Sequence, residues 1–178
     1  MKFTRRHALM FGSALLPISN AARAQSLPFR ATRARAASAR LRGHRGETLD
    51  WRADIIEARR RAFVGFTYVG CATQCPASDL LLQQVDAAAA PEIALYTLTL
   101  SPLTDDWRRM ATKAEDMSAT ARWTWLSGEP REVYALLEAL EVAAGTLESH
   151  GQALLRVGFG RCERVDDLPS LERVLASA

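Results

Sequence analysis

An apolar and aromatic run, Ala62-Phe63-Val64-Gly65-Phe66-Thr67-Tyr68, broken only by Thr67, stands directly before a loop with two cysteines, and a helical pattern follows that loop. The run does not alternate between apolar and polar residues, so it reads as a strand buried on both faces. The loop is Val69-Gly70-Cys71-Ala72-Thr73-Gln74-Cys75-Pro76. Residues 77–89 then read as a helix with Leu80, Leu81, Val85 and Ala88 on one side. Pro76 suits the first turn of that helix, where a missing N–H costs nothing, and Pro91 stops it. A strand buried on both faces requires packed layers on both sides of its sheet.

The remaining segments extend the same alternation. Residues 40–50 contain Gly43-His44-Arg45-Gly46, a turn between two short strands, and residues 52–61 have a short helical look. Residues 92–100 branch and alternate like a central strand. Thr104 or Asp105 can cap a helix that runs towards Ser118. Residues 122–126 form a short strand, and Ser127-Gly128-Glu129-Pro130 supplies cap and N-terminal proline for a helix to Val142. Residues 152–157 and 161–165 pair across Gly158-Phe159-Gly160, and Pro169 opens a final helix. The order predicts an α/β domain with a central mixed sheet and helices on both faces, matching a thioredoxin-like fold with one extra βα unit. It also puts the cysteine loop at the carboxyl end of a central strand, where sites in such sheets lie.

The 178 residues suit one domain. The N-terminus divides off as residues 1–24, followed by a loose lead-in over residues 25–39 and the domain proper over 40–178. Residues 4–10 contain adjacent arginines, Arg5-Arg6; a short apolar run follows over 11–18, and Ala22-Arg23-Ala24 closes the segment. A basic start, a short apolar middle and a small-x-small finish make an export signal, with cleavage expected after Ala24. Thr4 and Leu9 around the arginines fit a twin-arginine signal, although Ala8 stands where that pattern prefers Phe. A periplasmic location follows, with membrane attachment only if the signal is retained as an anchor. Past residue 24 nothing approaches the roughly 18 apolar residues of a membrane span.

The formal charge of +3 comes from this segment, where Lys2, Arg5, Arg6 and Arg23 meet no acid. The rest is close to neutral, which argues against a nucleic-acid partner. Arginines crowd residues 30–61, and this stretch reads as a solvated segment rather than a basic docking surface.

Export places the three cysteines where disulfides can form. Cys71 and Cys75, at a strand-to-helix junction, meet backbone N–H groups and the positive helix end, which favour thiolate. Two sulfurs at this spacing can close a disulfide or share a soft metal such as copper(I) or zinc. A structural disulfide remains an alternative. Cys162 alternates with Arg161 and Glu163 in a strand and so points inward as a packed thiol. Of three histidines, His7 lies in the signal and His44 in a turn. His150 follows Gly145-Thr146-Leu147-Glu148-Ser149 and precedes a strand, which places it better than His44 as a candidate third ligand, with a plain surface histidine as the alternative.

Three segments resemble the Sco/SenC family of copper chaperones. Residues 66–76 are similar to its apolar strand followed by Cys, three residues and Cys-Pro. Leu98-Thr99-Leu100-Ser101-Pro102-Leu103-Thr104-Asp105-Asp106 is similar to its segment with Asp-Pro and a later Asp. Trp123-Thr124-Trp125-Leu126-Ser127-Gly128 resembles its Trp-x-Phe-Leu-Thr-Gly strand and turn. The chain departs from the family at Ser101, where Asp is usual before the proline, at Ser149 and Gly151 around the histidine, and in a shorter stretch before it. The resemblance implies a thioredoxin-like fold and one copper ion held by Cys71, Cys75 and His150. It also implies, as partner, a copper-accepting subunit of cytochrome c oxidase or another exported cuproprotein, and a thioredoxin-like reductant for the thiols. A metal-independent thiol–disulfide oxidoreductase using Cys71 and Cys75 is the alternative in a different class.

Overall fold

The computed structural model describes residues 27–71, 75–142 and 152–178. The expected export signal, His150 and the loop before it lie outside the described residues. Eight strands form one sheet: β1 (Arg30–Ala31), β2 (Arg40–Gly43), β3 (Thr48–Asp50), β4 (Ala62–Thr67), β5 (Ala94–Thr99), β6 (Trp123–Gly128), β7 (Ala153–Gly158) and β8 (Arg161–Asp166). Their spatial order is β1-β8-β7-β4-β5-β6-β2-β3. β4, β5 and β6 run parallel, and every other neighbour pair is antiparallel. The sheet is therefore mixed, with β4 central and buried along its whole length.

Among the described residues four α-helices accompany it: α1 (Cys75–Ala88), α2 (Trp107–Asp116), α3 (Pro130–Ala139) and α4 (Leu171–Ala176). Period-two alternation sends Phe63, Leu95, Trp123 and Leu154 to one face, against Leu82 and Val85 of α1, Met110 of α2 and Val174 of α4. Val64, Tyr96, Leu126 and Leu155 point to the other face, against Val133, Leu136 and Leu137 of α3 and the Trp51–Ile56 segment. That segment, a π-type turn, follows β3 and is started by Asp50, whose side chain accepts the Ala53 N–H at 2.7 Å. The sandwich of helices around a mixed sheet is the predicted architecture.

Gly65 sets how close α1 approaches. A Cβ at that position would lie 2.7 Å from the Leu82 side chain and 3.0 Å from the Ser78 hydroxyl. The bare backbone lets the helix carrying Cys75 settle directly on the strand that leads to Cys71.

Four local expectations differ from the structure. The segment read as a loose lead-in contains β1, paired with β8, and a 3-10 turn, Arg33–Ala36. Ala34 and Ala39 there are buried in the core, because short apolar side chains suffice to cover the sheet edge. The helix after β5 is capped by Asp106, not Thr104 or Asp105: its carboxylate accepts the N–H groups of Arg108 and Arg109 at 3.0 and 2.9 Å. Ser127 does not cap α3, since Glu129 holds the cap position without a side-chain bond and the helix ends at Ala139. Finally, α1 buries Asp79, Leu81, Leu82, Val85 and Asp86, whereas Leu80 is 52 % exposed. Two acids in the packed face displace the apolar stripe read from leucines alone.

Candidate metal centre

β4 ends at Thr67, and the chain turns at once. The Cys71 N–H donates to the Tyr68 carbonyl at 3.0 Å, which closes a tight turn before the first cysteine. α1 begins at Cys75, so both cysteines sit at the strand-to-helix corner predicted for them. They are joined as a disulfide with Cα atoms 5.7 Å apart. Cys75 is 1 % exposed, and Cys71 is half-buried and faces the rim. The Cys75 N–H donates to the Cys71 sulfur at 3.2 Å. That donor comes from the first turn of α1, where unpaired N–H groups and the helix dipole stabilise negative charge.

The loops after β4, β5 and β6 all open at this end of the sheet, and Asp105 fastens them together. It is 1 % exposed. Its Oδ2 accepts the Val69 N–H at 2.9 Å and the Thr99 hydroxyl at 2.8 Å. Its carbonyl accepts the Ser127 hydroxyl. The Asp105 N–H in turn donates to the Ser101 carbonyl at 2.9 Å. An acid read in the sequence as a helix cap is thus a fixed post beneath the cysteine loop. Its signal in the sequence was the second acid, Asp106, which freed Asp105 from capping.

A second acid lies under the corner. Asp79, one turn along α1 from Cys75, is 2 % exposed. Its Oδ2 accepts the Thr67 hydroxyl at 3.2 Å and stands 3.7 Å from Lys113 Nζ, while Oδ1 is buried without a partner among the described residues. Burial raises its carboxyl from the ordinary value to about 6, and the nearby Lys113 charge and the Thr67 bond only partly oppose this. Sequence reading passed over Asp79. The visible signal was a polar pair, Ser78-Asp79, four residues after a cysteine on a helix that otherwise packs.

The other expected positions resolve differently. Cys162 is 3 % exposed in the core, as its alternation predicts, and burial pushes its thiol up to about 11. His44 is structural: its backbone N–H donates to the Trp125 carbonyl at 2.8 Å, and its ring Nδ1 accepts the Trp125 backbone N–H at 3.0 Å. Burial and the adjacent Arg45 charge lower its pKa, in keeping with a neutral ring that accepts. Among the described residues no three His, Cys, Asp or Glu side chains converge as a metal cluster. Two sulfurs do converge, and once the disulfide is reduced their thiolates would suit a soft ion such as copper(I). Among the described residues no helix is long and apolar enough to cross a membrane.

No protein-family model and no curated protein matches the chain. Solved structures do match in shape. BsSco, a member of the Sco family of cytochrome c oxidase assembly proteins, superposes with a TM-score of 0.66 at 13 % identity, covering 86 % of this chain and 95 % of that one. ScoI of Bradyrhizobium japonicum with copper bound gives 0.63 at 16 % identity, covering 79 % and 95 %. Yeast Sco1 with copper bound gives 0.63 at 13 %, covering 79 % and 84 %. The cysteine corner, its sheet and its helices therefore belong to the thioredoxin-like fold that the Sco proteins share.

Proposed function

We propose that this chain is an exported copper-binding protein of the Sco/SenC type. Cys71, Cys75 and His150 hold one copper ion as cargo. The ion passes to the dinuclear copper centre of cytochrome c oxidase or to another periplasmic copper enzyme. Residues 1–24 act as the export signal, and residues 40–178 carry the function. The observation that carries this reading is the pairing of Cys71 and Cys75 at the start of α1, with the Cys75 amide on the Cys71 sulfur. Copper-bound proteins of the same fold support it. A low-coordinate site of two thiolates and one imidazole suits transfer, because an incoming thiolate can bind before the donors let go. Binding displaces thiol protons and weakens as pH falls.

The test is a copper titration of the reduced full-length protein, read by thiolate-to-copper(II) charge-transfer absorption and by metal analysis. One ion per chain, lost in Cys71→Ser and Cys75→Ser, is the expected result. Absence of stoichiometric binding by the reduced protein rejects the reading.

The closed disulfide favours a second reading, a thiol–disulfide oxidoreductase. The Cys71 thiolate attacks a target disulfide and forms a mixed disulfide. The Cys75 thiolate then displaces the target as a dithiol. Two electrons pass to the target, the Cys71–Cys75 bond forms, and a thioredoxin-like reductant restores the dithiol. Reductase activity that needs no metal and survives His150→Ala separates this reading from the first.

A further inference from the structure

At the end of the sheet opposite the cysteine loop, the fold gathers arginines around an exposed phenylalanine. Phe159 forms the tip of the β7–β8 hairpin and is 60 % exposed. Its φ of 52° lies between Gly158 at 115° and Gly160 at 72°. A left-handed aromatic residue is strained where Gly or Asn would not be.

The tip is pinned in place. The Phe159 N–H donates to the Ala58 carbonyl and the Gly160 N–H to the Ile56 carbonyl, both at 2.8 Å. A Cβ on Gly158 would collide with the Arg60 carbonyl oxygen. Hairpin tip and arginine run therefore form one rigid ledge.

Arg59, Arg60, Arg61 and Arg161 are exposed on that ledge. They line two adjoining hollows of about 510 and 420 Å³, with Phe159 on the wall of both. Arg60 donates to the Tyr96 hydroxyl at 2.8 Å, and Arg156 pairs with Glu163 at 2.8 Å. Arg59, Arg61 and Arg161 have no ion pair among the described residues. Glu92 is the other acidic side chain on the lining, and Ala178, the last residue of the sequence, stands there too. The sequence alone presents Arg59-Arg60-Arg61 as a solvated face. The fold adds Phe159 and Arg161 to it from a segment a hundred residues later.

Unneutralised guanidiniums repel one another, and the ring is apolar surface in water. One environment relieves both. Phosphate groups pair with guanidinium forks, and an aromatic ring settles at the headgroup boundary. We propose that this ledge docks the folded protein on an anionic lipid bilayer, with Phe159 entering the interface and Arg59, Arg61 and Arg161 meeting lipid phosphates. One exposed ring, with Ile93, Leu175 and a few alanines behind it, is too small an apolar centre for a stable protein interface. A basic cluster with one aromatic is sufficient for reversible bilayer association. Docking in this way leaves the cysteine rim facing away from the lipid. The proposal is independent of the copper reading.

The test is co-sedimentation of the full-length protein with vesicles of phosphatidylcholine, alone or mixed with phosphatidylglycerol. Residues 1–24 can themselves bind lipid, so the comparison is among full-length variants. R59E/R61E/R161E should lower partition onto the anionic vesicles about a hundredfold, at roughly fivefold for each of the three arginines lost. Phe159→Asn tolerates the left-handed backbone, so it keeps the fold and removes the ring. It should lower partition severalfold while leaving the salt dependence unchanged. R108E/R109E/R131E, on other surfaces, should change partition far less. Equal partition on both vesicle types overturns the proposal, as does binding untouched by R59E/R61E/R161E. Equal loss in the R108E/R109E/R131E control overturns it too.

Discussion

The Asp105 carboxylate holds the Val69 amide at 2.9 Å, which fastens the loop carrying Cys71 to the loop after the neighbouring parallel strand. The same oxygen accepts the Thr99 hydroxyl, so one buried acid fixes the end of β5 and the start of the cysteine loop together. Removing it leaves a buried N–H and a buried hydroxyl without their acceptor. Asp105→Ala should lower the unfolding free energy by about 2–3 kcal/mol, in the range for lost hydrogen bonds to a charged group. It should also weaken copper binding although no ligand is removed. Asp105→Asn keeps an acceptor oxygen and should retain most of both. Denaturant melts beside copper titrations check this. Unchanged copper affinity in a folded Asp105→Ala protein would show that the bond does not position the cysteines.

The two functional readings divide on one residue. If His150 is a ligand, His150→Ala should lower copper affinity by tenfold or more and leave any reductase activity near that of the parent protein. If it is not, stoichiometric copper binding survives. Metal analysis after dialysis, run beside a disulfide-reduction assay, measures both quantities on the same sample.

The layered α/β plan was legible because β4 is apolar up to Thr67 and the breaks around it carry proline, glycine and capping residues. The cysteine corner was legible for the same reason: a strand, a short loop and a proline in the first helical turn admit little else. What sequence left hidden was polar and buried. Asp79, Asp86 and Asp105 look like surface acids in a linear reading, yet each is buried and each takes a bond from a residue on another element. Such partners are set by tertiary packing and have no local period. β1 was missed because two residues of edge strand carry no alternation to detect.

Asp86 and Arg122 make a second ion pair, at the end of α1 far from the cysteines. Arg122 Nε meets Asp86 Oδ1 at 2.8 Å, and its other nitrogens donate to the carbonyls of Val85, Asp86, Ala89 and Ala90. A guanidinium thereby caps the carboxyl end of α1, where the helix dipole favours positive charge. Arg122→Ala leaves the buried Asp86 carboxylate with only the Thr120 amide and hydroxyl as partners and should cost about 3–5 kcal/mol of stability. Arg122→Lys keeps the charge but loses the fork, and should recover only part of it. Urea unfolding of the three proteins measures the order. A loss below about 1 kcal/mol in Arg122→Ala would mean that the carbonyls and Asp86 find water instead.

Asp79 should give the protein an inverted carboxylate signature. Its folded pKa, about 6, lies above the ordinary value of 3.8, so the folded state holds its proton more tightly than the unfolded chain does. Stability from this group is therefore full below pH 4 and falls as pH rises towards 6. Above that it stays at its lowest level. The whole protein also carries Asp50 and Asp166, whose lowered pKa values act in the opposite sense. The measurement is therefore the difference between parent and Asp79→Asn at each pH. Asparagine leaves the Thr67 contact possible and carries no charge to bury. The variant should gain on the parent between pH 4 and 6 and reach an advantage of about 2–3 kcal/mol at neutral pH, from about 1.4 kcal/mol per pKa unit. An advantage that stays flat across that range would mean that the Lys113 ammonium, 3.7 Å away, keeps Asp79 ionised throughout.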